Sequence, residues 1–417
     1  MNTTKNRLYL PAVVLGVCVL TLGASSCGGS QEPQEQAQPV QALDANGAPI
    51  FQVDPFWPKP LPNKWSMQQV VDIYVDGDDD VWIINRPSDA RPDEVGAEGT
   101  SPRTDCCVVG PAIIHFDPDG NVVNAWGGAD HHPGWPGRLQ TIGVDREKNV
   151  YVSGTTPGDS IIKFSGDGDF LWDFGHRGPR VPANQVTQDN QQTEIFPPGI
   201  GSFDFDEDAR EMFIADGFLN KRVLVYDMDT GAFKRGWGGH GMPLSDIGND
   251  PTPPYEWTGG PPPDQEQFAP ALHCAHMSRD KLVYVCERGM NRIQVFTTEG
   301  EWVKDFHVRP ETPARGAGCG GIWHATAPPC GTVYNLALSR DPEQKYVFVA
   351  DGTNNRVWIL DRQSGETLGS FGGNGRYAGQ LHWIDSIKVD SKGNIYTGEV
   401  EDGKRVQKFV PVMAVDR

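Results

Sequence analysis

Short runs of alternating hydrophobic and polar residues fill the chain from about residue 50 to residue 410, and Gly, Asp and Asn separate them. VVDIYVDGDDDVWIINR (70–86) is representative, because two alternating runs flank an acidic turn. Alternation with a period of two predicts half-buried strands, and turn residues between such runs predict hairpins. The pattern therefore predicts an all-β fold built from many short strands.

The pattern of strands and turns recurs six times along the chain. Each copy opens with a strand that ends in hydrophobic–x–hydrophobic–Asp or a close variant, followed by a polar turn and further strands. The copies lie at 70–86 with 112–128, 139–154 with 161–175, 201–217 with 222–238, 273–306, 334–372, and 385–409. Four strands per copy at a period of about 50–70 residues are typical of a β-propeller. We therefore predict a six-bladed β-propeller.

The sixth copy lacks a fourth strand, and IFQVD (50–54) at the start of the domain can supply it. This N-terminal strand would close the last blade and remove the open edges of the ring. The predicted propeller then spans residues 50–417. The long segments between strands are expected to be loops that carry function: 87–110, 127–138, 176–200, 239–270 and 307–331.

The chain begins with a segment typical of an export signal. Lys5 and Arg7 precede a short apolar stretch (8–23), and three small residues stand directly before Cys27. Residues 1–27 resemble a bacterial lipoprotein signal, in which Cys27 becomes the lipidated N-terminus. An ordinary secretory signal with an incidental Cys27 is the alternative. We expect an exported protein of the cell envelope, lipid-anchored on the periplasmic or cell-surface side.

Composition sharpens this interpretation. Residues 28–49 are rich in Gln, Pro and Ala and are predicted to be a flexible tether. The chain has 49 Gly and 34 Pro, which argues against long helices. Its formal charge is −19, and removal of residues 1–27 takes away two positive charges, leaving −21. So acidic a chain repels phosphate backbones, which excludes nucleic acid as an expected partner.

Cysteine usage agrees with export. Six cysteines follow the predicted signal: Cys106, Cys107, Cys274, Cys286, Cys319 and Cys330. An even number in an exported protein predicts disulfides. The last two would close a short loop, the middle two face each other across a predicted hairpin, and the adjacent first two either form a vicinal disulfide or pair elsewhere. Metal binding by these residues is the weaker interpretation, since the sequence has no CxxC motif.

The repeats resemble those of NHL-repeat propellers, through ADGFLNKRVLVYDMDTGAFKRGWG (215–238) and VCERGMNRIQVF (285–296). Within that class, residues 50–410 most resemble the catalytic domain of peptidyl-α-hydroxyglycine α-amidating lyases. DPFWPKPLP, DCCVVG and GEVEDGKRVQKF resemble an exported bacterial branch of that family without an assigned function. The resemblance implies the fold more strongly than the activity.

Equivalent positions on the inner strands of a propeller converge on the central channel. Counting back five residues from the strand-end Asp or Ser gives Val71, Gln140, Gly201, His273, Tyr334 and Asp385. The resemblance implies a channel zinc held by three His residues on alternate blades, and the matching positions are Gln140, His273 and Asp385. His and Asp are ordinary zinc ligands whereas Gln is a poor one, so we expect a weaker site with bound water.

Two further lyase positions have changed. Arg86 matches a functional arginine, but Phe218 stands where the lyase has a tyrosine, and Ser386 replaces an acidic residue of a calcium site. We therefore expect a binding or scaffolding propeller with a degenerate lyase-like channel and a peptide, glycan or protein ligand. The alternative is a divergent metal-dependent lyase that uses Arg86 and a channel zinc, with calcium as a further implied cofactor.

Several candidates keep two interpretations. Arg86 is either a channel functional group or half of an ion pair with Asp385 or Glu399, and His276 is more easily explained as a satisfied core residue. One set of His and Trp side chains lies near the loops and either lines a channel mouth or packs within the loops: His131, His132, His240, His324, His382, Trp135, Trp257, Trp323 and Trp383. The acidic DGDDD and SGDGD turns lack calcium-loop spacing and are predicted to be hairpin turns.

Overall fold

A computed structural model describes residues 40–414, except 157, 175–177, 179–184, 186, 195–198, 264, 317 and 320–328. The described residues belong to one compact unit, which begins at Val40. The predicted signal with Cys27, most of the predicted tether, Trp323 and His324 lie outside the described residues. None of the helices in the described part of the chain has the length and apolarity that a membrane span requires.

The described residues form short strands and a few 3-10 turns. In chain order the strands are β1 (Phe51–Asp54), β2 (Trp65–Ser66), β3 (Gln69–Val75), β4 (Val81–Arg86), β5 (Val108–Val109), β6 (Ile113–Phe116), β7 (Val122–Trp126), β8 (Leu139–Val144), β9 (Val150–Gly154), β10 (Ile162–Phe164), β11 (Phe170–Asp173), β12 (Phe203–Asp206), β13 (Glu211–Asp216), β14 (Arg222–Asp227), β15 (Phe233–Trp237), β16 (Leu272–Met277), β17 (Leu282–Glu287), β18 (Arg292–Thr297), β19 (Trp302–His307), β20 (Asn335–Leu338), β21 (Tyr346–Asp351), β22 (Arg356–Asp361), β23 (Thr367–Gly372), β24 (Ile384–Val389), β25 (Ile395–Glu399) and β26 (Arg405–Pro411). The 3-10 turns are Pro87–Asp89, Gly239–Gly241, Leu244–Asp246 and Arg288–Met290.

These strands build six four-stranded antiparallel sheets, the blades of a propeller. In order they are β3-β4-β6-β7, β8-β9-β10-β11, β12 to β15, β16 to β19, β20 to β23, and β24-β25-β26-β1. β1 pairs with β26 in antiparallel register, with Phe51 opposite Pro411, so both ends of the described chain meet in blade 6. The six-bladed all-β prediction, with closure by the N-terminal strand, is confirmed.

Hydrophobic contacts hold neighbouring blades together. Blades 1 and 2, for example, share a buried cluster that includes Trp82, Ile113, Ile142 and Val152. The middle strands are buried on both faces, as β13 illustrates with six buried residues in a row. Because each blade covers the faces of its neighbours, the core is distributed around the ring.

Residues 40–49, grouped with the tether in the sequence analysis, pack against the propeller. Ala42 donates from its backbone to the carbonyl of Val412 (2.7 Å), and Tyr346 donates its hydroxyl to the carbonyl of Gly47. Ala48 is buried between blades 5 and 6. The Gln- and Ala-rich composition hid this pairing, which depends on backbone groups that the chain offers just beyond β26. The folded unit therefore begins near Val40, about ten residues earlier than the predicted start of the propeller.

The six cysteines pair as the spacing suggested. Cys274 and Cys286 are opposite each other on β16 and β17, with their Cα atoms 4.8 Å apart. Cys319 and Cys330 lie 5.4 Å apart between Cα atoms. The adjacent Cys106 and Cys107 have their sulfur atoms within bonding distance, so of the two alternatives the structure has the vicinal disulfide.

Candidate functional site at the upper mouth of the channel

The innermost strands β3, β8, β12, β16, β20 and β24 begin at one face of the ring, which we call the upper face, and end at the other, the lower face. At the upper mouth a cavity of about 30 Å3, enough for one or two water molecules, lies on the channel. It is lined by Gln69, Arg86, Arg138, Gln140, Thr155, Phe218, His273, Arg288, Tyr334, Trp383, Asp385, Val400 and Glu401. Four of the six predicted channel positions are among these residues.

Gln140, His273 and Asp385 reach the cavity because each lies at a bulge. In β8, Leu139 and Thr141 have partners on β9, but Gln140 is left over. The same irregularity skips His273 in β16 and Asp385 in β24. A bulge turns the extra side chain out of the ladder, and such bulges occur often beside functional sites. Alternate blades 2, 4 and 6 thus each direct one polar side chain into the channel.

The other two predicted positions do not line the cavity. Val71 is buried in the hydrophobic cluster shared by blades 1 and 2. A side chain at Gly201 would overlap the backbone of Leu272 and His273, so this position requires glycine for close packing of blades 3 and 4.

Arg86 is buried and bonded to neutral groups of blades 1 and 2. Its Nε donates to the carbonyl of Leu139 (2.8 Å), and its guanidinium also donates to Gln140 Oε1 (2.9 Å) and Gln69 Oε1 (3.3 Å). Burial and then the charge of Arg138 lower the pKa of Arg86 to about 10. The predicted ion pair with Asp385 or Glu399 is not made: the carboxylate nearest to Arg86 is Asp89 at 3.5 Å.

His273 is held by an arginine as well. Arg288 donates to His273 Nε2 at 3.0 Å, which leaves the proton of a neutral imidazole on Nδ1. Burial and then the positive charge of Arg288 hold the pKa of His273 well below its usual value. The ring packs edge-on against Phe218, and the Arg288 guanidinium lies 4.8 Å from the centre of the Tyr334 ring. His273 is therefore a neutral hydrogen-bond acceptor that is already in use.

Asp385 differs from its neighbours. Its side chain is buried, yet among the residues that the structure describes none donates a hydrogen bond to its carboxyl group. Burial raises the pKa of Asp385 to about 6, although Arg86 and Arg288 act in the opposite direction. A group with spare hydrogen-bonding capacity that titrates near neutrality is typical of a binding or catalytic site.

The three predicted zinc ligands fit a zinc ion poorly. Gln140 and His273 already accept hydrogen bonds from arginines through the atoms that would coordinate the metal. Three guanidinium groups around the cavity disfavour a divalent cation there, whereas zinc sites combine several neutral His or anionic ligands. The implied calcium site is no better, since Ser386 offers one neutral oxygen and calcium takes six to eight oxygen ligands.

A second polar layer lies deeper in the channel. Asp72 accepts from the backbone N–H of Ile142 (3.1 Å) on the next blade, and Asp204 accepts in the same way from Met277 (3.0 Å). His276 Nε2 lies 2.8 Å from Asn335 Oδ1, so His276 is a buried, bonded residue as predicted. The sequence analysis missed most of this layer. Counting four residues back from the strand-end Asp or Ser finds Asp72 and Asn335, and counting two back finds Asp204, His276 and Lys388.

The predicted ring of aromatic and His residues is mostly loop and blade packing. Trp383 alone of its described members lines the cavity. His131 contacts the carbonyl of Gly168 at 2.7 Å, and His132 stacks on Phe170 at the outer side of blade 2.

Three possible metal ligands lie together at the acidic turn of blade 1: Asp76, Asp80 and, from β6, His115. Their ligand atoms lie within 4.8 Å of one another, and among the described residues no other group of three His, Cys, Asp or Glu does so. Lys148 places its ammonium 3.4 Å from Asp76 and 3.1 Å from Asp80. The turn is a hairpin, as predicted, and a lysine supplies the positive charge.

No protein-family model matches the chain. It is 23% identical over 314 residues to NHL repeat-containing protein 3 of Mus musculus, a match that covers 72% of this chain and 73% of that protein. The human protein of the same name is also 23% identical, over 315 residues, with the same coverage.

Among solved structures, the chain is similar to a structural genomics protein of unknown function from Bacteroides thetaiotaomicron, with a TM-score of 0.49, 15% identity, and coverage of 83% of this chain and 70% of that one. It is also similar to the WD40 β-propeller domain of Doa1, with a TM-score of 0.45, 11% identity, and coverage of 87% and 97%. The six repeated four-stranded blades make the chain a six-bladed β-propeller, and its sequence is similar to that of the matched NHL repeat proteins.

Proposed function

We propose that this protein is an exported, lipid-anchored propeller that binds a protein or peptide ligand over the upper mouth of its channel. The observation that carries the proposal is the Asp385 carboxyl, buried at the cavity without a hydrogen bond from the described residues and surrounded by arginines. A ligand group that both donates and accepts hydrogen bonds, such as an amide, is complementary to this arrangement.

The size of the site favours binding over enclosure of a substrate. A cavity of about 30 Å3 admits one small group, so most of a ligand must lie on the loops above it. Two long connections border the upper face, from β4 to β6 and from β15 to β16. Loops on a rigid propeller are the usual place for recognition surfaces.

The divergent zinc lyase is less well supported. Phe218 packs on His273 and has no hydroxyl to exchange a proton, and Gln140 and His273 are engaged by arginines. General acid–base catalysis requires a titratable group within hydrogen-bond reach of the substrate, and in this cavity Asp385 is the one whose pKa lies near neutrality. The site therefore has the groups for recognition but lacks the tyrosine that the lyase has at position 218.

A phage-displayed random peptide library selected against the mature protein tests ligand binding. Enriched peptides are expected to bind the Asp385→Ala and Arg288→Gln variants at least about tenfold more weakly, because each change removes a polar group at the cavity. Arg146→Gln, at the lower face, is the matched control and should bind normally. Failure to enrich any peptide, or equal binding to all variants, would refute the proposed site; enrichment of glycans instead, on a glycan array, would contradict the peptide ligand.

Lipid anchoring depends on Cys27, and the sequence pattern before it supports the proposal. Cells that express the full chain and are fed an alkynyl fatty acid should yield a labelled, membrane-associated protein. The Cys27→Ala variant should be exported without label or remain unprocessed. Equal labelling of both proteins would show that Cys27 is not the lipid acceptor.

A further inference from the structure

We infer that the lower mouth of the channel is a second binding site, for a small organic molecule that carries two or more carboxylate or phosphate groups. Arg279, Arg340 and Lys388 would hold these groups. Two adjoining cavities of about 450 and 410 Å3 open there, and both are lined by Tyr74, Arg279 and Arg340. Each volume lies in the range of ordinary small-molecule sites.

The three cations lack carboxylate partners. Across residues 40–414, leaving aside the undescribed positions, no Asp or Glu oxygen lies within 4.0 Å of the charged nitrogens of Arg279, Arg340 or Lys388. Arg279 instead donates to the carbonyl of Arg340 (2.7 Å), and Arg340 donates through Nε and Nη2 to the carbonyl of Val389. The Lys388 ammonium contacts the His276 nitrogens at 3.2 and 3.5 Å. Backbone carbonyls therefore position the two arginines, and a histidine ring contacts the lysine, without a direct ion pair.

The acidic residues beside them are already engaged. In the larger cavity Asp206 pairs with Lys281 at 2.8 Å, and Asp208 pairs with Arg146 at 2.8 Å. Deeper in the channel, Asp72 accepts backbone N–H groups from Ile73 and Ile142. Asp204 likewise accepts from Phe205 and Met277. These bonds stabilise the carboxylates where they are, so they are poorly available to the three cations.

Three unpaired cations at one site are unexpected in a chain with 55 acidic and 36 basic residues. Desolvation by surrounding protein atoms lowers the pKa of Arg340, and the positive charge of Arg279 lowers it further. An anion bound between them would relieve that repulsion. The planar guanidinium favours carboxylate and phosphate oxygens in particular.

The remaining lining indicates an organic ligand. Tyr74, Val75, Phe205 and Met277 place aromatic and aliphatic surface next to the cations. Arg279 and Arg340 come from the turns of blades 4 and 5, and Lys388 comes from β24 of blade 6. All three line the larger cavity, whose volume of about 450 Å3 exceeds what one small ion fills. This is the reason to expect at least two anionic groups.

Calorimetric titration of the intact mature protein with citrate and with pyrophosphate, at low ionic strength, tests the site and separates its two chemistries. One equivalent of at least one probe should bind, and affinity should fall as salt is added. Arg340→Gln and Lys388→Gln should each weaken binding at least about tenfold. Arg210→Gln is the matched control, because Arg210 lies outside both cavities and pairs with Asp229 at 2.6 Å, and this variant should bind within about twofold of the wild type.

Binding of citrate alone would identify a carboxylate ligand, and binding of pyrophosphate alone would identify a phosphate ligand. If neither probe binds, or if Arg340→Gln and Lys388→Gln bind as well as Arg210→Gln, the inference is wrong. Circular dichroism of each variant confirms folding. Since Arg288→Gln changes only the upper mouth, it should retain binding of the probe, and the two sites can fail independently.

Discussion

At the residue scale, Asp385 concentrates the unusual chemistry of the channel. Its neighbours Gln140 and His273 are bonded to arginines, whereas its own carboxyl has no hydrogen-bond donor among the described residues. Burial raises its pKa from 3.8 to about 6, which means that the folded protein resists ionisation of this group. The unfolded chain ionises it freely, so the group weakens the fold at neutral pH.

Asp385→Asn should therefore stabilise the protein at neutral pH but not in acid. A shift of roughly two pKa units corresponds to at most about 3 kcal/mol in the free energy of unfolding. The wild type loses this stability as the pH rises from about 4 to about 6. Urea unfolding should show the variant more stable than the wild type at about pH 7.5 and nearly equal at about pH 4. Asp130→Asn, at an exposed position, is the control and should change neither value. A variant destabilised equally at both pH values would contradict this account of Asp385.

At the scale of strands, the repeats predicted the fold well but the channel only in part. Six copies of one pattern fix the number of blades, and the missing fourth strand of the last copy leads to β1. The channel positions Gln140, His273 and Asp385 were found by counting, although the counting did not reveal that each is a bulged residue. A bulge depends on pairing with the neighbouring strand, which the alternation of one strand does not contain.

The hydrogen bonds of the residues around the channel also could not be predicted from the sequence. Arg86 was expected to match a lyase residue or to pair with an acid. Instead, it donates hydrogen bonds to Leu139 and Gln140 of the next blade. Arg288 was not singled out at all, because it follows β17 in a short 3-10 turn with no motif of its own. Contacts between blades join residues some fifty positions apart, and no local pattern encodes them.

At the scale of the whole molecule, an acidic propeller carries positive charge at both ends of its channel. Arg86, Arg138 and Arg288 surround the upper cavity, and a second group of cations surrounds the lower mouth. The turns that supply much of the acidity lie at the lower face, where lysines of neighbouring blades pair with them, as Lys281 does with Asp206. The channel therefore suits polar and anionic ligands better than metal cations.

Anomalous X-ray scattering at the zinc absorption edge, from crystals of the mature protein grown with excess zinc, tests the central claim most directly. The account predicts no zinc peak among Gln140, His273 and Asp385, with Arg288 still bonded to His273 Nε2. Zinc peaks at other sites on the protein surface are the internal control, because they show that zinc entered the crystals. A fully occupied zinc bound to His273 and Asp385, with Arg288 displaced, would contradict the binding propeller and restore the metal-dependent lyase.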